Sequence, residues 1–193
     1  IRSHFPNIYE KCLSIGIDIT RDWIPVTPAA HYCCGGVKVD TNGETSIRHL
    51  YALGETSCTG LHGANRLASN SLIEAVVYAD QAARHAASLL PKVDIQEGIP
   101  DWDFEGTQHT EEMLMIIQSK REMQTILSNY VGIVRSNLSL KRAMRRLEIL
   151  WQETEELYNK TKPNRELCEL RNMIAVAYLV IKQGREIKES VGC

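Results

Sequence analysis

The sequence predicts an α+β chain dominated by helix: a glycine-rich part of short strands with one long helix, followed by a three-helix bundle. Three observations carry this reading. Glycines, turn residues and short β-branched runs crowd the positions up to Leu90; Ala75, Ala79, Ala82, Ala83 and Ala86 line a helical face; and beyond residue 107 apolar residues recur at a period near 3.6 with few glycines.

Taken in order, Ile8 to Leu13 reads as the end of a helix stopped by Gly16, and Ile17-Asp18-Ile19 as a short strand. Pro25 and Pro28 then stiffen an extended segment. Val37 and Val39 alternate with Lys38 and Asp40, Asp40-Thr41-Asn42-Gly43 supplies a turn, and Leu50 to Leu53 reads as a buried strand ending at Gly54-Glu55. Ser71-Leu72-Ile73-Glu74 matches a capping box and predicts a helix running to about Leu90, its alanine face packed closely on a sheet. Pro91 stops that helix, and Gly98-Ile99-Pro100-Asp101 with Gly106 forms a linker. Three amphipathic stripes follow: Met113, Ile116, Ile117, Met123, Leu127 and Tyr130, closed by Gly132; Leu140, Ala143, Leu147, Leu150, Trp151, Thr154 and Leu157; and Leu167, Leu170, Ile174, Ala177 and Ile181. Short connections make these helices antiparallel neighbours, and their apolar stripes form the core.

Composition narrows the function classes. The 193 residues suffice for one or two domains, and the formal net charge is only −2. No window concentrates Lys and Arg with interleaved aromatics, which argues against nucleic-acid binding; Lys141, Arg142, Arg145 and Arg146 read as a solvated helix face. The longest apolar stretch, near Ile174 to Ile181, is too short to cross a bilayer, and the first residues do not resemble an export signal, so a cytoplasmic protein is expected. The six cysteines, at 12, 33, 34, 58, 168 and 193, are scattered and read as reduced thiols. They lack zinc-site spacing, so no metal is expected, and Cys33-Cys34 is either a reactive pair or small filler beside a glycine turn.

The most specific stretch joins His31-Tyr32-Cys33-Cys34-Gly35-Gly36, Leu53-Gly54-Glu55 and the run Gly60 to Glu74. It sets one His and one Arg beside a glycine-lined turn opening into a helix. The helix N-terminus carries partial positive charge, suited to a negative ligand atom; for Ser71, capping and ligand binding are compatible. Arg66 precedes that helix, where a guanidinium reaches a carboxylate in bidentate geometry or pairs with a local acid. His31, taken alone, reads more readily as a structural histidine than as a ligand contact, whereas His62 reads equally as either.

His31-Tyr32 with Gly35-Gly36, Gly54-Glu55, His62-Gly63-Ala64-Asn65-Arg66 and Asn70-Ser71-Leu72 resemble the motifs of the FAD-dependent succinate dehydrogenase, fumarate reductase and L-aspartate oxidase flavoproteins. Pro28-Ala29-Ala30-His31-Tyr32, the Gly60 to Glu74 run and Tyr130-Val131-Gly132-Ile133-Val134-Arg135 are most similar to the L-aspartate oxidase branch. The resemblance implies the end of a capping domain over residues 1–24, the C-terminal part of an FAD-binding domain over 25–92, a linker over 93–107 and a three-helix bundle over 108–193. It implies FAD as cofactor and oxidation of L-aspartate to iminoaspartate, feeding quinolinate and NAD synthesis, with quinolinate synthase as a partner. It assigns His31 and Arg66 to the substrate carboxylates, Glu55 to the ribose region of FAD, and Asn70, Ser71 and Leu72 to the flavin ring. The chain departs from the family in lacking a G-x-G-x-x-G unit and the upstream segment with the catalytic arginine; no catalytic residue falls within it, and the chain is expected to be inactive without the N-terminal FAD-binding half. The rival readings are a fumarate reductase or succinate dehydrogenase fragment, and a non-enzymatic helical module.

Overall fold

The computed structural model describes residues 1–190 other than 95, 104, 106, 107 and 110. Its order is α1 (Pro6–Leu13), β1 (Val37–Lys38), a 3-10 turn (Gly54–Thr56), β2 (Ser57–Cys58), α2 (Asn70–Leu89), a second 3-10 turn (Leu90–Lys92), α3 (Met113–Tyr130), α4 (Asn137–Lys160) and α5 (Arg165–Glu186). The chain is helix-dominated, with one two-stranded parallel sheet in which Val37 pairs with Ser57 and Lys38 with Cys58. The linker residue Gly106 and the C-terminal Cys193 lie outside the described residues.

The early helix ends as its sequence predicts, and Gly16 follows at φ +85°. Ile17-Asp18-Ile19 is not a strand. Asp18 accepts from the Thr20 amide at 3.0 Å and from the Thr20 hydroxyl at 2.7 Å, while its carbonyl accepts from Arg21 N at 2.8 Å, so the side chain folds the backbone into a turn. The Asp40–Gly43 turn forms, with Gly43 N–H donating to Asp40 O at 3.0 Å. Leu50 to Leu53 is also not a strand: Leu50 N–H turns back to Ile47 O at 3.1 Å, Tyr51 makes a single antiparallel bridge to Glu44, and of the four only Ala52 is buried.

The 20 residues of α2 bury only Glu74 and Ala82. Ala75 and Ala86 are half-buried and Ala79 and Ala83 exposed, so the predicted close packing of the alanine face on a sheet does not occur. The reason is scale: a helix of that length runs about 30 Å, and strands of two residues cannot cover it. Leu72, Ile73, Val76 and Val77 stand exposed along it. At its far end the Tyr51 hydroxyl meets His85 Nδ1 at 2.7 Å and clips α2 to the turn below.

The main core lies among α3, α4 and α5. Ile116, Met123 and Ile126 of α3, Leu140, Ala143, Leu147 and Leu150 of α4, and Leu167, Leu170, Ile174, Ala177 and Ile181 of α5 form one buried cluster. The predicted stripes are the buried faces, with Ile117 and Trp151 left partly exposed at their margins. Ser136 and Ser139 build a reciprocal cap at the start of α4, and the Asn164 side chain accepts from Leu167 N–H at 2.8 Å at the start of α5. Arg171 grips the Glu155 carboxylate with two nitrogens, at 2.5 and 3.2 Å, while lying 4.5 Å over the Tyr158 ring. Lys120 of α3 and Arg165 both reach Glu169 at 2.8 Å. The Lys141, Arg142, Arg145 and Arg146 set is on the exposed face of α4.

Two measurements check this packing. Ile174→Ala, which empties a fully buried position of α5, is expected to lower unfolding free energy by about 3 kcal/mol in urea titration. Lys120 and Arg165 hold the Glu169 carboxyl down at about 2 from 4.5. A depressed carboxyl contributes stability above its unfolded value and loses it as pH falls through the folded one. The difference in thermal midpoint between the native chain and Glu169→Gln should therefore be full above pH 4.5 and narrow as pH falls toward 2.

Candidate functional site

The segment after Pro28 passes His31 without regular secondary structure, bends at Cys34 and reaches Gly36, where the backbone passes so close to the Gly54–Thr56 turn that a Cβ on Gly36 would lie 2.2 Å from the Thr56 carbonyl oxygen. Glu55, delivered by that turn just after Gly54 at φ +68°, accepts from the Cys33 amide at 3.0 Å. The two sequence motifs are thus joined, Glu55 to the residue two positions after His31. His31 itself is exposed. The sulfhydryls of Cys33 and Cys34 point to different backbone carbonyls, Gly35 and Tyr32, and none of the described cysteines is in a disulfide. Among the described residues no three His, Cys, Asp or Glu side chains gather as a metal site.

At the start of α2 the structure corrects the predicted capping box. Ser69, at φ +71°, is the N-cap, Ser71 lies inside the helix, and no side chain caps the first turn. Asn70 N–H donates to Leu67 O at 3.3 Å, whereas the amides of Ser71 and Leu72 have no side-chain partner. Glu74 does not fold back on the helix end. Its carboxylate, 1 % exposed, accepts from Thr59 Oγ1 at 2.5 Å, His62 Nε2 at 2.7 Å and the Tyr32 hydroxyl at 3.4 Å. Burial pushes the Glu74 carboxyl up, but the Thr59 and His62 hydrogen bonds and the imidazole charge outweigh it and hold it below the usual carboxylate range. Burial and the neighbouring Glu74 charge push the Tyr32 phenol up, which keeps its hydroxyl a donor.

Arg66 completes the cluster. Its guanidinium lies 4.7 Å over the Tyr32 ring, which meets the His62 ring edge-on at 5.3 Å. Its Nε is shut off from solvent and has no hydrogen-bond partner among the described residues. A buried donor without an acceptor costs about 1–3 kcal/mol, so this group is suited to receive an anionic acceptor. His31 thus neighbours in sequence the tyrosine on which Arg66 stacks. The α2 N-terminus adds uncapped amides at Ser71 and Leu72, a second place for negative charge. Thr59, Tyr32 and Glu74 are the participants that sequence reasoning missed: Tyr32 stood in a motif without a role, and Glu74 was disguised by a pattern that caps helices elsewhere.

Two family models match the chain: an FAD binding domain over residues 1–72 and the fumarate reductase flavoprotein C-terminal region over residues 120–193. Its full length is similar to the L-aspartate oxidase of Pseudomonas aeruginosa, with 48 % identity over 192 residues covering 100 % of this chain and 36 % of that protein. The chloroplastic L-aspartate oxidase of Arabidopsis thaliana is 40 % identical over 207 residues, covering 100 % of this chain and 32 % of its own length. The chain therefore spans about a third of the length of these relatives. Among solved structures, a quinol-fumarate reductase with menaquinol molecules superposes with a TM-score of 0.80 at 28 % identity, over 99 % of this chain and 36 % of that one. Mycobacterium smegmatis Sdh1 gives 0.73 at 26 %, over 98 % and 34 %.

The close approach at Gly36 yields a direct check. Gly36→Ala should force the His31–Gly36 segment away from Thr56 and lower unfolding free energy by about 2 kcal/mol, seen as an earlier urea midpoint.

Proposed function

We propose, from the chain's membership of the succinate dehydrogenase, fumarate reductase and L-aspartate oxidase flavoprotein superfamily, that it is the C-terminal portion of an FAD-dependent L-aspartate oxidase. The reaction is oxidation of L-aspartate to iminoaspartate in quinolinate and NAD synthesis, with oxygen or fumarate as final acceptor. FAD, when bound, supplies the hydride acceptor. The residues present fit that group: the uncapped amides of Ser71 and Leu72 suit the electron-rich edge of a flavin, and Glu55 suits the ribose region.

Arg66 and His31 bind the two carboxylates of the substrate. The observation that carries this role is the sequestered, unpartnered Nε of Arg66. A guanidinium stacked on one face by Tyr32 is held flat, which favours bidentate capture of a carboxylate. No residue of this chain is proposed to take the substrate proton; that group belongs to the N-terminal half, without which the chain is inactive. In this reading residues 1–24 end a capping domain, 25–92 finish the FAD-binding domain, 93–107 link, and 108–193 make a three-helix bundle. The exposed apolar side of α2 fits a helix that the N-terminal half covers. The parent is proposed to be cytoplasmic with quinolinate synthase as a partner; among the described residues no helix is long and apolar enough to cross a membrane. The solved-structure likenesses support a second reading, a fumarate reductase or succinate dehydrogenase fragment, in which the same His31 and Arg66 hold a substrate with two carboxylates.

The test is complementation of the chain with an N-terminal FAD-binding half, recording flavin absorbance and peroxide release with L-aspartate and with succinate. Aspartate-dependent peroxide is expected, with Arg66→Ala losing about 100-fold or more in kcat/KM. Succinate turnover alone would move the chain to the dehydrogenase branch, and an assembled pair that binds no flavin would overturn both.

A further inference from the structure

We infer that Glu74 is the positioning residue of the carboxylate site: it locks the 59–66 loop and the Tyr32 ring in place and so holds Arg66 in its binding orientation. This deepens the proposed function and rests on its assignment of Arg66.

Glu74 sits in the second turn of the 20-residue helix α2 and is one of the two residues that helix buries. Three donors converge on its carboxylate from two other segments. Thr59 and His62 belong to the loop that leads to Arg66, and Tyr32 belongs to the segment that carries His31. Both routes end at Arg66, one through the backbone of its own loop and the other through the ring beneath its guanidinium. That loop contains Gly60 and Gly63, both at positive φ, with open space around each. Within the loop Gly63 N–H donates to Gly60 O at 3.3 Å and Asn65 N–H to His62 O at 3.2 Å, and the side-chain anchors at Thr59 and His62 tie it to α2.

The burial explains why one residue exerts this control. Glu74 and His62 keep only 1 % and 7 % of their side-chain surface. A carboxylate so enclosed stays ionised only while its donors remain in place, so donors and acceptor fix one another. Replacing the acid by an amide puts an NH2 donor among these groups, so at least one of Thr59, His62 and Tyr32 must reverse its role from donor to acceptor or turn away, and the charge that strengthened all three bonds is lost. The guanidinium then loses its fixed orientation while every atom that touches substrate is retained.

The experiment compares native, Glu74→Gln, Arg66→Ala and double-variant forms of the flavin-loaded full-length protein that carries this chain. It measures kcat and KM for L-aspartate, and the dissociation constant of the unreactive dicarboxylate malonate by calorimetry. Glu74→Gln is expected to raise both KM and the malonate dissociation constant about 10-fold, with kcat and flavin content within about 3-fold of native. In the Arg66→Ala background the same change should shift malonate affinity by less than about 2-fold, because the residue through which it acts is already gone. A Glu74→Gln protein with native KM and native malonate affinity would overturn the inference, as would an equal loss in both backgrounds. If Glu74→Gln does not fold, Thr59→Val removes one of the three donors to Glu74, together with the acceptor of the Leu61 amide: a rise in KM of about 3-fold without a change in kcat supports the inference, and native KM overturns it. Failure of the native protein to bind malonate or turn over aspartate would instead sink the assignment of Arg66 itself.

Discussion

A carboxylate stripped of its water has to be matched by donors, and in this protein Glu74 is that carboxylate. Its three partners lie 15, 12 and 42 residues away in sequence, so satisfying it draws the segment carrying Tyr32, the glycine loop and α2 into one arrangement. The small parallel sheet could not do this alone, because its strands are two residues long. The site is therefore organised by a buried polar network, whereas the C-terminal helices are organised by apolar burial.

The contrast between those two halves decides what was legible in the sequence. In α4 and α5 the residues that repeat every three or four positions, such as Leu147, Leu150, Leu170 and Ile174, are the ones buried, because each helix meets its neighbours along one face. The end of α1, the Asp40–Gly43 turn and the extent of α2 follow equally local rules. Where the winning interaction is non-local, sequence reasoning fails. Ser71-x-x-Glu74 has the spacing of a helix cap, yet Thr59, His62 and Tyr32 together offer Glu74 more than the helix end does, and Ser69 takes the cap position. Leu50 to Leu53 has the composition of a buried strand, yet a strand needs a partner along its length, and here the pairing stops at the single Tyr51–Glu44 bridge with its two flanking hydrogen bonds, Thr45 N–H to Leu50 O and Ala52 N–H to Gly43 O. The Asp18 turn is the exception, a local competitor: its carboxylate accepts from the Thr20 amide and hydroxyl two residues on and so displaces the strand.

The site's chemistry follows from the same economy of partners. Negative charge on Glu74 is consumed by its own donors, and Glu55 is engaged by the Cys33 amide. Left without acceptors among the described residues are the Arg66 Nε and, by side chains, the first amides of α2. The surroundings thus present open donors beside a Glu74 carboxylate that is already satisfied, which favours a ligand carrying negative charge. That is the property shared by a dicarboxylate substrate and the electron-rich edge of a flavin. The motifs His31-Tyr32, Gly54-Glu55 and His62 to Arg66 lie apart in sequence. Folding joins them through Cys33 to Glu55 and through Tyr32 to Arg66, so their resemblance to one family rests on a single physical assembly.

The most direct measurement is an experimental structure of the flavin-loaded full-length protein with a four-carbon dicarboxylate bound. The account predicts one carboxylate on the Arg66 guanidinium, that guanidinium still over the Tyr32 ring, and Glu74 still accepting from Thr59 and His62. A dicarboxylate held elsewhere, with Arg66 turned away or Glu74 released from its donors, would contradict it.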